Sequence, residues 1–448
     1  MTNHVTEKYI QECLVPGSRL LTAMQDADLP PALSASSGQR LLPRPLFLQE
    51  QEIHRFADDV IRVFELITSL PARLFGNDLR RYCAALAISE RRTRLITRLG
   101  GAVPPQYGRA DMYHDGTAFR LLEFNIASEL GGVDRAGEIP RVLLDVAAFA
   151  RFAKEHDLRY TDTGRVIADA LRTAGAAVAP GREPVVALLE APGGLAGYGA
   201  AWRAFEELMR SFGMDFHIGE IGDVRTRGDR VYLHGRPLDV VLRCYSADEI
   251  LAEPDGEALA EPVFRAHEAG TVVLWTPMES NLFGNKGCLA MLSDPRTRSS
   301  FEASELAVID RLVPWTRAIG GTFGQDGADV LEECLARREQ LILKPNALYG
   351  GAGIVAGWET GEREWRQTLE SVGEAGAVVQ ERVVPRSELV VDPETGRLEE
   401  WQAAWGLFVT PQGYAGTYAR ALPADESAVI GIGANEKTRT AGVFTYQD

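Results

Sequence analysis

Four short segments carry residue types that could do chemistry, three of them on apolar strands. Leu121-Leu-Glu123-Phe-Asn125 sets a carboxylate and an amide two residues apart. Side chains at i and i+2 of a strand share a face, so Glu123 and Asn125 present two oxygen donors together, a set that suits Mg²⁺. Leu341-Ile-Leu-Lys344 runs into Pro345-Asn346-Ala-Leu-Tyr-Gly350-Gly351-Ala-Gly353. Glycines there admit close backbone approach to an anion, and a strand-end lysine can neutralise phosphate oxygens. The segment matches neither G-x-x-x-x-G-K-[ST] nor G-x-G-x-x-G, so the P-loop and Rossmann readings lose their warrant. Gly284-Asn-Lys286-Gly287 feeds a short apolar helix, where Lys286 is placed to help bind an anion. Ala377-Val-Val-Gln380-Glu381 is a strand that can offer backbone groups to a purine edge and a carboxylate to an amino group or a ribose hydroxyl. Taken singly, each has a plain alternative: a solvent-facing pair, a glycine hairpin, a solvated lysine or a core strand.

The elements that position these residues fall into three zones. Residues 1–104 read as mostly helical, with Ile53, Phe56, Ala57, Val60, Phe64 and Ile67 at helical spacing as one buried stripe. Residues 105–325 alternate apolar runs (Arg120–Phe124, Val185–Leu189, Asp239–Arg243, Thr271–Leu274) with helical stretches such as Ala200–Phe212, an α/β rhythm. Residues 326–448 add strands at Leu341–Lys344 and Ala377–Glu381 and a helix at Arg363–Val372. The stretches Leu251–Glu261 and Val391–Glu399 read as exposed loops. The economical picture is two strand-rich lobes with a cleft between them.

Composition narrows the function. The 448 residues, 45% hydrophobic and 25% charged, suit an ordinary globular protein of two or three domains. A formal charge of −16 repels nucleic acid and anionic membrane surfaces, so any phosphate-bearing ligand needs a local cationic site. Five scattered cysteines form no zinc pattern and fit a reducing compartment. The start MTNHVTEKYIQE lacks an apolar signal region, and no run approaches the roughly 20 apolar residues of a membrane span, so a cytoplasmic protein is expected. The seven histidines show no paired spacing, and His114 alone lies near a candidate segment.

In this order the segments resemble the ATP-grasp family, specifically eukaryotic-type glutathione synthetases and their circularly permuted, glutathionylspermidine synthetase-like relatives. The resemblance runs from about residue 105 to the end. It rests on Arg109-Ala-Asp111, Glu123-Phe-Asn125, Gly131-Gly132, Val240-Val-Leu-Arg243, Gly284-Asn-Lys286, Lys344-Pro345 with its glycines, and Gln380-Glu381. It implies an α/β ATP-grasp fold with the nucleotide in a cleft, and an enzyme that joins a small-molecule carboxylate to an amine through an acyl phosphate. ATP and Mg²⁺ are the implied cofactors. Glu123 and Asn125 would hold the metal, Lys286 and Lys344 would grip the phosphates, and Gly350, Gly351 and Gly353 would close over them. Gln380 and Glu381 would face the nucleoside, while Arg109, Asp111 and Arg243 would line the acceptor side. Arg109, Arg243 and Lys344 would take the catalytic charge-stabilising roles.

Two departures bear on substrate. The family's third metal-binding glutamate, just before the glycines, is missing; Asn346 is the candidate replacement. The glycine- and alanine-rich loop that closes over a dipeptide is reduced to Gly431-Ile-Gly433-Ala-Asn-Glu-Lys437-Thr-Arg439, so glutathione is not the expected product. Arg420, Lys437 and Arg439 remain candidates for a substrate carboxylate or phosphate, each set against a plain surface cation. The acceptor is expected to be an amino acid or small metabolite, and a homodimer through the N-terminal helical zone is open. Two other readings stand beside the ligase: a phosphotransferase acting on a hydroxyl or enol, and a non-catalytic nucleotide-binding protein.

Overall fold

Strands that end in polar residues and helices with one apolar stripe assemble here into four sheets, three of which position the site. The computed structural model describes residues 3–37, 40–101, 103–324, 328–346, 351–426 and 429–447. The largest sheet has seven strands in the order Leu46–Gln49, Arg439–Tyr446, Gly413–Pro423, Leu398–Thr410, Gly108–His114, Phe119–Asn125, with Ser387–Val391 also paired to Leu398–Thr410. Its strands are antiparallel except that Leu46–Gln49 runs parallel to Arg439–Tyr446. A second sheet is wholly parallel, ordered Val273–Trp275, Val240–Cys244, Val185–Glu190, Asp215–Glu220. Every residue of Val185–Glu190 is buried, as expected of a parallel strand covered on both faces. A third, antiparallel sheet is ordered Thr316–Ile319, Ala377–Glu381, Leu341–Pro345, Val355–Ala356.

Helices cover these sheets by the stripes read in the sequence. Glu50–Phe75 buries Ile53, Phe56, Ala57, Val60, Phe64 and Ile67 in the main core, where Phe56 and Phe64 meet Phe119 and Phe124 of the large sheet. It stops at Gly76, whose left-handed φ of 59° forms the C-cap. Glu362–Ser371 closes the third sheet through Trp365 and Leu369, which pack with Leu341, Leu343 and Val379.

The three zones are interleaved in space. Strands from the first, second and third zones share the large sheet, while residues 316–381 hold the third sheet. Leu251–Glu261 is not a loop throughout: helix Gly256–Glu268 begins inside it and buries Ala260, Val263 and Phe264. Its acidic residues form the solvent face of an amphipathic helix whose apolar positions continue past the acidic run. Residues 392–397 do form a turn, between Ser387–Val391 and Leu398–Thr410. The five cysteines are free and buried. Among the described residues, no helix is long and apolar enough to cross a membrane.

Candidate active site

The large sheet, the third sheet and helix Gly194–Ser211 enclose a cavity of about 620 Å³. Its cationic end is built from strand ends. Glu123 and Asn125 share one face of Phe119–Asn125 and both line the cavity, with Asn125 Nδ2 3.4 Å from Glu123 Oε1. Lys286, at the N-cap of Gly287–Ser293, brings Nζ to 3.4 Å from Glu123 Oε2. Lys344 is 6% exposed, and its Nζ donates to Gln380 Oε1 at 2.6 Å and to the Leu122 carbonyl at 3.2 Å. Burial pushes the Lys344 ammonium down to about 8; Glu123 opposes that shift and Lys286 adds to it. Two lysines therefore converge on one carboxylate.

A second cationic group adjoins the first. Arg109 donates to both oxygens of Asp111, at 2.7 and 2.9 Å, and to the Gly131 carbonyl at 2.8 Å. Arg420 brings an amino group to 3.0 Å from Asp111 Oδ2, while its buried Nε has no hydrogen-bond partner among the described residues. Burial alone would raise Asp111, but Arg109 and then Arg420 hold its carboxyl down at about 2. Both guanidinium carbons lie 5.8 Å from the Tyr418 ring centre. That ring is admitted by two glycines: a Cβ would stand 2.6 Å from it at Gly132, where φ is +95°, and 2.6 Å from it at Gly406. Gly132→Ala combines overpacking with a left-handed backbone. It is expected to cost about 3 kcal/mol in urea denaturation.

At the level of sequence no protein-family model matches the chain, and no curated protein is similar to it. At the level of structure it is similar to a glutathione synthetase-like effector from Globodera pallida, with a TM-score of 0.56 and 11% identity over 96% of this chain and 97% of that one. The chain has an ATP-grasp fold of the glutathione synthetase type. Weaker overlaps are with a protein assigned as a gamma-glutamylcysteine synthetase from Methylobacillus flagellatus (TM-score 0.43, 15% identity, 82% of this chain and 85% of that one) and with D-alanyl-alanine synthetase A from Vibrio cholerae (TM-score 0.27, 15% identity, 58% and 74%). At those scores they add nothing to the fold assignment.

Within this ATP-grasp cleft, some residues expected to contact ligand are placed elsewhere. Arg243 is fully buried and does not line the cavity. All three guanidinium nitrogens are engaged: Nε by the Thr276 carbonyl at 2.8 Å, one amino group by Glu129 Oε1 at 2.7 Å and the Tyr245 carbonyl, the other by Ser280 Oγ at 3.0 Å. It anchors Glu129 and leaves no donor for substrate. Arg243→Met strands Glu129 and is expected to lower stability by about 3–5 kcal/mol, read as a thermal midpoint several degrees lower. Lys437 is exposed and paired with Glu426, and Arg439 donates to the carbonyls of Glu436 and Thr438; neither lines the cavity. Asn346 also lies off the cavity lining, its Nδ2 3.4 Å from the Leu86 carbonyl, with Oδ1 buried and without a hydrogen-bond partner among the described residues. Gln380 lines the cavity, is 1% exposed and uses its amide on Lys344 and on Thr316 Oγ1, so its side chain supports the lysine. Asp111 lines the cavity with its oxygens taken by the two arginines. Glu381 lines it too and accepts from Arg337 at 3.2 Å. Gly351 lines it with φ +87°, Gly353 has φ +68°, and Gly350 lies outside the described residues.

Two sets of lining residues escaped the sequence reading. Ile342, Ile354, Trp358 and Val383 make an apolar wall beside Glu381, with the Arg382 guanidinium 4.2 Å from the Trp358 ring centre. Glu129, Glu190, Glu249, Tyr198 and Trp202 line the cavity as well. A charged residue closing an otherwise apolar strand, Glu190 after Val185–Leu189, was the available signal.

The groups that the fold implies can be set against these side chains. The buried Lys344, with Lys286 beside it, offers the local positive charge that a polyphosphate requires in a chain of net charge −16. Among the described residues no group of three or more His, Cys, Asp or Glu could hold a metal. Glu123 and Asn125 are the two oxygen donors that would hold a Mg²⁺ brought in with a nucleotide, which would supply charge neutralisation at its phosphates.

Proposed function

We propose that this chain is an ATP-dependent carboxylate–amine ligase. The observation that supports it best is one cavity lined by Lys344, Arg109 and Arg420 together with Glu123 and Asn125, with Lys286 reaching Glu123 from outside the lining. In this reading Glu123 and Asn125 hold Mg²⁺ on the ATP phosphates, and the apolar wall of Ile342, Ile354, Trp358 and Val383 takes the base. Bound Mg²⁺-ATP supplies a γ-phosphoryl group to a carboxylate, and an amine then displaces phosphate from the acyl carbon to leave an amide, ADP and phosphate. Lys344 and Lys286 neutralise charge on the transferring group, and Arg109 and Arg420 bind and orient the carboxylate. No side-chain nucleophile is required. Cys244, the thiol that lines the cavity, is pushed well above its ordinary range by burial and stays protonated.

ADP release measured with Mg²⁺-ATP against pools of carboxylic acids and amines tests the reading. Turnover is expected only when both are present and should fall on the order of a hundredfold or more in Glu123→Ala. A stable phosphorylated product formed without an amine would favour phosphotransfer instead. Turnover indifferent to Glu123 would place the chemistry elsewhere.

A further inference from the structure

Lys344 belongs to a row of side chains that crosses the third sheet and leaves the cavity. Thr316 stands directly opposite Gln380 in the strand register, and Gln380 stands opposite Ile342, two residues before Lys344. Paired residues share a face of a sheet, as do residues two apart on one strand, so Thr316, Gln380 and Lys344 lie on the same face of three neighbouring strands. Thr316 is fully buried and lies off the cavity lining. Its hydroxyl oxygen is 2.8 Å from the Pro314 carbonyl oxygen and 3.2 Å from Gln380 Nε2.

Donor and acceptor chemistry sets the direction of each bond in the row. The Pro314 carbonyl only accepts, so the Thr316 hydroxyl proton points there and its oxygen offers Gln380 a lone pair. That lone pair takes the amide nitrogen, which turns Gln380 Oε1 toward the Lys344 ammonium, a group that only donates. A reversed amide would set donor against donor at Lys344 and leave Oε1 facing a hydroxyl with no proton to give. The backbone of Thr316 is fixed in turn: its N–H donates to Ser293 Oγ at 3.0 Å, and Arg317 donates to the Ser293 carbonyl at 2.9 Å. Ser293 is the last residue of helix Gly287–Ser293, and Lys286 is the N-cap of that helix. One connected set of contacts therefore joins Lys344 to the element that carries Lys286.

We propose that Thr316 is a positioning residue for phosphate binding: by fixing the Gln380 amide, it holds Lys344 Nζ in place against Lys286. It acts only through Gln380. A part in turnover rests on the ligase reading, whereas the effect on nucleotide binding does not.

Calorimetric titration of the full chain with Mg²⁺-ATP, with no carboxylic acid or amine present, tests this. Thr316→Val keeps the shape of the side chain and removes the hydroxyl, and it is expected to weaken binding by about fivefold or more. Thr316→Ser keeps the hydroxyl and should bind as the natural chain does. Gln380→Leu should weaken binding at least as much as Thr316→Val, and adding Thr316→Val to it should cost nothing further, since the hydroxyl then has no amide to orient. Unchanged binding in Thr316→Val, a serine variant as weak as the valine one, or a second full loss in the double variant would overturn the proposal. Thr316→Ala carries the same expectations where the valine variant does not fold. Carboxylate- and amine-dependent ADP release with Mg²⁺-ATP binding indifferent to Thr316→Val would sink this inference and leave the ligase. A Thr316 effect on binding, rescued by serine, in a chain that releases no ADP would do the reverse.

Discussion

Lys344→Met is expected to remove nearly all ATP turnover, on the order of a thousandfold in kcat/KM, while leaving the protein at least as stable at pH 7 as the natural chain. The activity loss follows from deleting a desolvated charge aimed at the transferring group, where such a contact is worth far more than in water. The stability effect follows from linkage. Lys344 titrates at about 8 in the fold against 10.5 ordinarily, so between those values the unfolded chain holds a proton that the folded one has released, and stability rises with pH. The wild-type chain therefore carries a penalty of about 3 kcal/mol below pH 8 that disappears by about pH 10.5. Methionine avoids that penalty but leaves Gln380 Oε1 without its donor, which costs about 1–2 kcal/mol. The net gain is about 1–2 kcal/mol at pH 7, turning into a loss near pH 10.5. Urea denaturation at both pH values measures it. A variant that is inactive and also less stable at pH 7 would mean that Lys344 serves the fold and not the reaction.

What could be read from the sequence was local in the chain. Glu123 and Asn125 share a face because strand periodicity is two, and Lys344 ends an apolar strand; neither statement needs a distant partner. The helix Glu50–Phe75 and the strands at Val185–Glu190 and Ala377–Glu381 were legible for the same reason. Reading failed where a partner far along the chain decides the outcome. Arg243 and Glu129 are 114 residues apart, and their pairing turns a substrate-facing arginine into a buried anchor. Lys437 pairs with Glu426 much nearer in the chain, 11 residues away, where no helical or strand spacing links the two. The parallel pairing of Leu46–Gln49 with Arg439–Tyr446 joins the two ends of the chain, so zones cut by sequence order could not coincide with sheets. The acidic lining residues of the cavity escaped because Glu190, Glu129 and Glu249 sit on three separate elements, and no spacing rule connects them.

Asp111 shows how far the cationic end depends on its own counter-charge. Asp111→Ala is expected to cost about 3–5 kcal/mol, because Arg109 and Arg420 are both left facing each other across a buried gap. Protonating the same group costs less. Its folded value of about 2 against 3.8 ordinarily contributes about 2 kcal/mol that is fully present above pH 3.8 and is lost as the pH falls toward 2. Asp111→Asn should therefore flatten the acid limb of the stability curve between those values, while keeping the shape of the site and part of the hydrogen bonding. Asp111 also competes with a substrate carboxylate for the two arginines. An incoming carboxylate meets guanidinia already half-satisfied by Asp111. Arg420→Lys keeps the charge but loses that fork geometry. It should raise KM for the carboxylate substrate by about tenfold or more with a smaller change in kcat, whereas a purely structural Arg420 would show up as lost stability with KM unmoved.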